Sequence, residues 1–204
     1  MTAAEFIPSG ASLDELCRAS KSCRGCDLWE SATQAVFGRG PSSAPVMLVG
    51  EQPGDREDRE GEPFVGPAGR LLDDALKEAG LRRDEVYVTN VVKHFKWIPR
   101  GKRRIHQRPS ALEIKACLPW LREEIAQVQP SVLVCLGATA AQALLGRGFK
   151  VTQNRGEPVE SNLAPTVIAT VHPSSILRSR DQESRRLEMK GFIRDLETAR
   201  SHVK

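Results

Sequence analysis

The sequence predicts an α/β fold, a three-layer α/β/α sandwich around a central, mainly parallel four-stranded sheet. Four short runs are almost continuously apolar, which is typical of strands buried on both faces of a parallel sheet. Segments with apolar residues at helical spacing alternate with these runs, and this alternation indicates helices on both sides of a sheet. The expected strands are Val46–Val49, Val86–Val92, Val132–Leu136 and Thr166–Val171.

The helices expected between these strands follow from apolar spacing and from terminal signals. The first spans the pattern Leu71–Ala79 and ends at Gly80, since glycine is common just after a helix C-terminus. Ser110 is a suitable N-cap for the next helix, and Pro119 within its pattern predicts a kink or a break. Two further patterns complete the set, at Ala140–Leu144 and Met189–Leu196.

Composition points to one folded domain over residues 1–204. The apolar fraction is 40% and the charged fraction is 27%, which excludes a fully disordered chain. The longest mostly apolar stretch, Val132–Gly146, is too short and too polar for a membrane span. The start, Met1–Glu5, lacks the pattern of a secretory signal. We therefore expect a cytoplasmic protein with no membrane partner, and a monomer because no apolar heptad pattern is present.

Positive charge is concentrated in one segment. The chain has 30 basic and 26 acidic residues, a net charge of +4. Without the seven basic residues of the segment, the rest of the chain has a net charge of −3. The segment indicates either a face that meets a polyanion or a solvated basic loop, and charge alone does not separate the two. The seven residues are Lys93, Lys96, Arg100, Lys102, Arg103, Arg104 and Arg108.

Five cysteines in an expected cytoplasmic chain argue against a disulfide framework. Cys23 and Cys26 form a CxxC pair, which holds two thiolates close enough for one metal centre. With Cys117 and Cys135 they make four sulfur ligands, the number that zinc or a [4Fe–4S] cluster accepts. Spacing alone leaves zinc, a cluster and two simply buried thiols as alternatives. Cys17 belongs to a helix-like segment and is interpreted as structural.

Polar residues follow three of the four strands, at the sheet edge where sites of α/β proteins form. The first strand leads into Gly50–Asp55 and then a Gly/Pro-rich segment containing Phe64. Asn90 falls within the second apolar run, so its amide needs partners. His172 follows the fourth strand on a turn that begins with proline, where an imidazole can donate to an oxyanion. Each of these residues alone is also compatible with a purely structural role.

Taken together, these segments resemble the iron–sulfur uracil-DNA glycosylases. The motifs occur in the same order over almost the whole chain. They are Gly50-Glu51-x-Pro53-Gly54, Pro63-Phe64-Val65-Gly66-x-Ala68-Gly69, Thr89-Asn90-x-Val92-Lys93, Cys117-x-Pro119, Leu136-Gly137 and His172-Pro173-Ser174. The resemblance implies that Cys23, Cys26, Cys117 and Cys135 hold a structural [4Fe–4S] cluster, and that the partner is uracil-containing DNA, single-stranded or base-flipped from a duplex.

One segment departs from ordinary members of that family. An Arg-rich insert loop around residues 100–109 contains His106 and resembles the UdgX branch, as does Gln52. Members of that branch excise uracil and remain covalently joined to the DNA through the histidine of the insert. The resemblance therefore implies that His106 attacks the deoxyribose C1′ after uracil has left.

The resemblance also implies roles for the remaining site residues. Phe64 stacks on the flipped base and Asn90 hydrogen-bonds its edge, with Gln52 and Asp55 as further substrate-binding residues. His172 stabilises the negative charge on the departing uracil, and Glu51 orients His106 or takes its proton. The expected DNA contacts are Lys102, Arg103, Arg104, Arg108 and Ser174.

Three other functions remain open from the sequence. The first is a conventional uracil-DNA glycosylase that turns over and releases an abasic site. The second is a non-enzymatic DNA-binding module held together by a cluster or zinc. The third, an α/β protein that acts on free nucleotides, leaves the basic insert unexplained.

Overall fold

The computed structural model describes residues 1–203 and confirms the α/β/α architecture. Its central sheet has five strands rather than four, in the order β2-β1-β5-β7-β6, and a separate two-stranded sheet pairs β3 with β4. The strands are β1 (Val46–Gly50), β2 (Val86–Asn90), β3 (Trp97–Arg100), β4 (Arg103–His106), β5 (Val132–Leu136), β6 (Pro158–Ser161) and β7 (Ala164–Thr170). The four expected strands are parallel to one another, whereas β6 is antiparallel to β7.

The additional strand β6 lies at the edge of the sheet. It begins with a proline and has no fully buried residue, so it lacks the continuous apolar run of the central strands. Proline is tolerated at the start of an edge strand, where its missing N–H is not needed by the sheet. These properties explain why apolar patterning does not reveal β6.

Within residues 1–203, eight α-helices connect and cover the sheet. They are α1 (Leu13–Ser20), α2 (Asp55–Glu60), α3 (Pro67–Glu78), α4 (Ala111–Val128), α5 (Ala138–Leu145), α6 (Val151–Asn154), α7 (Pro173–Leu177) and α8 (Gln182–Ser201). Short 3₁₀ helices cover Ala3–Phe6 and Asp27–Glu30. The expected N-cap Ser110 accepts a hydrogen bond from Glu113 N, and α4 continues through Pro119 without a break.

The core consists of two apolar layers, one on each face of the sheet. Alternate residues of β1 separate the layers, because successive side chains of a strand point to opposite faces. Met47 packs in the layer that contains Trp120 of α4, and Leu48 packs in the layer that contains Leu72 of α3 and Phe192 of α8. Among residues 1–203, no helix combines the length and the apolar character needed to cross a membrane.

The direction in which the chain adds strands to the sheet reverses between β1 and β5. The connection from β1 leads to β2 on one side, and the chain then crosses to β5 on the other side of β1. Loops that leave such neighbouring strands diverge, and the crevice at their carboxyl ends is where ligands bind in open α/β sheets. In this protein Glu51 follows β1 at that position and Gly137 follows β5.

The Arg-rich insert is a β-hairpin rather than an irregular loop. Strands β3 and β4 pair antiparallel from Trp97↔His106 to Arg100↔Arg103, which leaves Gly101 and Lys102 as a two-residue turn. Gly101 has φ of 58°, and glycine first in a two-residue connection is typical of tight hairpin turns. His106 therefore lies at the base of the hairpin, beside the point where the chain rejoins the main fold.

Candidate active site

Gly50, Phe64 and Asn90 pack closely together at the carboxyl ends of β1 and β2. Gly50 is aligned with Asn90, and a Cβ atom at Gly50 would lie 2.4 Å from Asn90 Oδ1 and 2.8 Å from Phe64 Cζ. Asn90 is only 3% exposed, and its Oδ1 has no hydrogen-bond partner among the described residues. A buried acceptor without a partner is unfavourable by roughly 1–3 kcal/mol, so a ligand that donates to it gains affinity. This cluster thus combines an aromatic ring, a glycine backbone and one unused acceptor.

The backbone around Phe64 is built for close packing. Phe64 has φ of 58°, in the left-handed region that residues with a side chain rarely adopt. A Cβ atom at Gly69 would lie 1.7 Å from the carbonyl oxygen of Phe64, so only glycine fits there. The buried Glu57 carboxylate accepts hydrogen bonds from Gly54 N at 3.2 Å and from Gly66 N at 2.7 Å. Glu57 therefore ties the loop after β1 to the loop that carries Phe64.

His172 is held as a neutral imidazole with a defined tautomer. It is the N-cap of α7, and its Nδ1 accepts a hydrogen bond from Ser174 N at 3.1 Å. Because Nδ1 is an acceptor, the proton of the neutral ring is on Nε2. Burial lowers the pKa of His172 to about 4, with Glu51 opposing this effect. Nε2–H is therefore a neutral hydrogen-bond donor, and the ring lies 6.2 Å from that of Phe64 at an angle of 29°.

Glu51, which follows Gly50, forms a pair with His106. His106 Nε2 lies 3.3 Å from Glu51 Oε1, and Thr139 at the start of α5 donates its hydroxyl to Glu51 Oε2. Burial disfavours the Glu51 carboxylate, but hydrogen bonds from His106 and Thr139 outweigh that effect, so the pKa of Glu51 is lowered. The His106 side chain is 50% exposed. In this ring orientation a neutral His106 donates through Nε2 and keeps its lone pair on Nδ1.

Gln52 has a different position from the one expected of a substrate-binding residue. Its Oε1 accepts from Lys96 N at 3.1 Å, and its Nε2 donates to Gln107 O at 2.9 Å and Lys96 O at 3.3 Å. Lys96 and Gln107 flank the hairpin, and Gln107 N also donates to Lys96 O at 2.9 Å. The amide of Gln52 thus fixes the base of the hairpin, and its contact with a substrate stays a prediction.

Asp55 and Arg104 also differ from the expectation, because they bind each other. Arg104 Nε lies 2.5 Å from Asp55 Oδ1, and Arg104 Nη1 lies 2.6 Å from the fully buried Asp58. The second oxygen of Asp55 pairs with Arg59. The Arg104 side chain is only 14% exposed and anchors the hairpin through these pairs, and its contact with DNA stays a prediction. Sequence alone did not reveal this role because the two acidic partners lie about fifty residues upstream.

Of the other residues predicted to contact DNA, some are exposed to solvent and some interact with the rest of the protein. Lys102, Arg103 and Arg108 are exposed and have no acidic partner among the described residues. Ser174 is partly buried and its hydroxyl lies 2.8 Å from His172 Nδ1, so it positions that ring. Lys96 pairs with Glu113 at 2.9 Å, which removes another cation from the basic surface.

Lys93 belongs to the basic segment in sequence but is buried. It is 1% exposed, and its Nζ donates to Glu124 Oε2 at 2.5 Å, to Thr89 Oγ1 at 2.7 Å and to Asn90 O at 2.7 Å. Glu124 is fully buried and also accepts from Tyr87 OH at 3.1 Å. The pair therefore fixes the backbone at Asn90. With Thr139 and Glu57, these are site residues that sequence reasoning missed. Thr139 is a polar residue inside an apolar pattern, whereas Glu57 lies in a run of charged residues and has no such signal.

The four candidate metal-binding cysteines lie in one core layer. Cys23, Cys117 and Cys135 are buried, and Cys26 packs against the same layer. Cys23 Sγ accepts from Trp120 Nε1 at 3.3 Å, and Cys117 Sγ accepts from Lys93 N at 3.2 Å. Burial raises the pKa of Cys117 and of Cys135 to about 12.

Among the described residues the thiols do not form a preassembled metal site, and the choice between zinc and a cluster stays open at this point. Within residues 1–203, no three His, Cys, Asp or Glu side chains converge as one metal ion requires. A [4Fe–4S] cluster takes one thiolate per iron, so its ligands surround a larger group, and hydrogen bonds to its sulfurs are common. Cys17, in α1, is half-buried against the same layer, in agreement with a structural role.

Comparison with known proteins identifies the family. The sequence model of the Uracil DNA glycosylase superfamily matches residues 37–197. The chain is 40% identical over 185 residues to the Type-4 uracil-DNA glycosylase of Thermotoga maritima, covering 90% of this chain and 91% of that protein. It is 38% identical over 173 residues to the Type-4 uracil-DNA glycosylase of Archaeoglobus fulgidus, covering 81% and 83%. It is also 30% identical over 172 residues to a Type-5 uracil-DNA glycosylase of Pyrobaculum aerophilum, covering 76% and 73%. The shared length, the sheet and the residues at its carboxyl edge lead to one conclusion: the chain belongs to the uracil DNA glycosylase superfamily.

Proposed function

We propose that this protein is a uracil-DNA glycosylase that excises uracil and then becomes covalently joined to deoxyribose C1′ through His106. The observation that carries the first half is the buried, unpartnered Oδ1 of Asn90 beside the Phe64 ring. Uracil has a donor at N3 and an acceptor at O4, and a fixed amide matches both. Cytosine has the reverse pattern on that edge, so a mismatched contact in this buried cluster disfavours it by a few kcal/mol.

The leaving group requires stabilisation by a donor that is itself uncharged. When the N-glycosidic bond breaks, its electron pair moves onto the uracil ring and increases the negative charge on O2. The neutral His172 donates Nε2–H to that oxygen without having to lose a charge, and such a donor is worth roughly 3–4 kcal/mol. Uracil within a duplex is stacked and paired, so the base must first be flipped out or presented in a single strand.

The position of His106 supports capture of the sugar. Loss of uracil leaves an oxocarbenium-like C1′, and the lone pair of the neutral imidazole forms the new C1′–N bond. Bond formation gives the ring a positive charge, and the Glu51 carboxylate, whose lowered pKa keeps it ionised, stabilises that charge by accepting a hydrogen bond from the other ring nitrogen. A nucleophile held by the folded hairpin has a high effective concentration compared with water. This activity corresponds to the UdgX branch of the superfamily.

Cys23, Cys26, Cys117 and Cys135 would hold a [4Fe–4S] cluster. When bound, the cluster supplies a covalent cross-link between the CxxC segment, α4 and β5, and takes no part in the excision reaction. The N–H groups of Trp120 and Lys93 would donate to two of its ligand sulfurs. Replacing Cys135 with serine is expected to abolish the visible absorbance of the purified protein and to lower its unfolding temperature.

The test uses a single-stranded oligonucleotide with one uracil, incubated with the protein and run on a heated denaturing gel. A thymine oligonucleotide controls for the base, and His202→Ala controls for loss of a histidine far from the site, at the C-terminal end of α8. We expect a heat-stable shifted band that requires uracil and His106, is lost in His106→Ala, and persists in His202→Ala.

Two other results would redirect the assignment. Strand scission after alkali without a shifted band would mean ordinary turnover, with His106 as a DNA contact only. Binding without release of uracil, from protein with its full visible absorbance, would indicate a non-enzymatic DNA-binding module. In either case covalent capture by His106 would be refuted.

A further inference from the structure

The β3–β4 hairpin has two chemically different faces. Side chains opposite each other in the antiparallel register share a face, and successive residues alternate. His106 and Arg104 share the face that contacts Glu51, Asp55 and Asp58. The reverse side, which we name the outer face, carries two isoleucines and two arginines: Ile98, Arg100, Arg103 and Ile105.

The outer face is open over the part of the chain that the structure describes. Ile98 is 50% exposed, which is unusual for a large apolar side chain in a strand. Arg100 and Arg103 are exposed and have no ion pair within residues 1–203. The exposed Lys102 and Arg108 add two further cations at the tip and the base. The surface is therefore a small apolar ridge surrounded by four unpaired positive charges.

The fold does not depend on this face, because the hairpin is anchored from its other side. Arg104 binds two carboxylates there, and Trp97 Nε1 donates to Ser31 O at 2.9 Å. Gln52 fixes the base through three hydrogen bonds. The outer face is thus a preorganised surface whose exposed isoleucine and arginines have no structural role in the described chain.

The chemistry of the surface selects one class of partner. Four cations without acids favour a polyanion. Apolar side chains between them gain nothing from a duplex exterior, which presents phosphates and sugars, but they pack against bases left unstacked in a single strand. We propose that the outer face binds the single-stranded DNA that flanks the uracil, independently of sequence. The choice of DNA as the polyanion rests on the proposed function.

The test measures binding of the full-length protein to a uracil-free single-stranded 20-mer by fluorescence anisotropy, and to the same sequence as a duplex. Ile98→Ser is expected to weaken single-strand binding about fivefold and leave duplex binding within twofold. Arg103→Ser is expected to lower the slope of log K against log salt by about 0.7, the value for one phosphate contact of a single strand. Leu187→Ser and Arg186→Ser, both on exposed positions of α8, are matched controls.

Each outcome bears on the inference separately from the proposed activity. The inference is overturned if the outer-face variants bind the single strand as tightly as the α8 controls do. The next partner to test would then be an acidic protein. If the variants lose equal affinity for the single strand and for the duplex, the proposed preference for unstacked bases is wrong. Because the DNA lacks uracil and the readout is binding, a protein unable to excise uracil can still confirm the surface, and an active enzyme can still refute it.

Discussion

Replacing Lys93 with methionine tests the buried ion pair that supports the candidate site. The two side chains are 1% and 0% exposed, so solvent does not screen the charge that remains. After Lys93→Met, the Glu124 carboxylate keeps neutral donors such as Tyr87 OH and Gly38 N but loses its only cation among the described residues. Breaking a buried pair in this way destabilises proteins by about 3–5 kcal/mol. For a chain of this length, that corresponds to a fall in Tm of roughly 6–20 °C.

The double variant Lys93→Met/Glu124→Gln separates the effect of the uncompensated buried charge on stability from the effect of altered packing. Glutamine keeps an acceptor oxygen for Gly38 N, and neither residue is charged, so the stability should recover to within about 2 kcal/mol of the parent. Urea unfolding followed by circular dichroism gives the free energies of the parent, both single variants and the double variant. The reasoning fails if Lys93→Met costs less than 1 kcal/mol, or if the double variant loses the sum of the two single losses.

The same double variant should remain impaired in substrate recognition although its stability recovers. The Lys93 ammonium donates to the carbonyl of Asn90 at 2.7 Å, and no group replaces that hydrogen bond after substitution. Because this contact fixes the backbone that carries the Asn90 amide, we expect the second-order rate constant for uracil release, measured in a single turnover, to fall about tenfold. A double variant with recovered stability and an unchanged rate constant for uracil release would show that Asn90 is positioned by its strand alone.

Three further predictions concern the Glu51–His106 pair, the histidines and the hairpin. Thr139→Val removes a hydrogen bond to the Glu51 carboxylate, so its pKa should rise and the acid limb of covalent capture should move to higher pH, whereas Thr139→Ser should behave as the parent. Burial lowers the pKa values of His94 and His172 to about 4, so the unfolded chain binds more protons than the folded one between pH 6.5 and 4. Thermal unfolding should therefore show stability falling as pH decreases through that interval, by up to about 3 kcal/mol for each histidine, and a constant Tm would refute it. Arg104→Ala leaves a buried carboxylate without its partner, so we expect a loss of about 3 kcal/mol and faster hydrogen exchange of the hairpin amides; unchanged exchange would contradict the anchoring role.

The sheet was predictable because its central strands are buried on both faces, and burial requires apolar runs. The edge strand β6 was not, since a strand with one exposed side and an initial proline has no such run. The positions of Asn90 and His172 at the carboxyl edge followed from the strand that precedes each. Roles that depend on distant partners could not be read from local pattern: Gln52 binds backbone 44 and 55 residues away, and Arg104 binds carboxylates 49 and 46 residues upstream.

The segments that enter and leave the hairpin are neighbours, since Gln107 N donates to Lys96 O at 2.9 Å. Hydrogen-bonded residues on antiparallel segments have Cα atoms about 5.5 Å apart, so one or two residues suffice to join Lys96 directly to Gln107. The proposed nucleophile His106 is consequently carried on a separate hairpin, which lies between β2 and α4 at a point where the two ends of the hairpin are already neighbours. A short link from Lys96 to Gln107 would delete the hairpin and His106 with it, and would leave the residues on β2 and α7 in place. In the reverse operation, the hairpin would be grafted onto a relative whose chain has two neighbouring segments at this position.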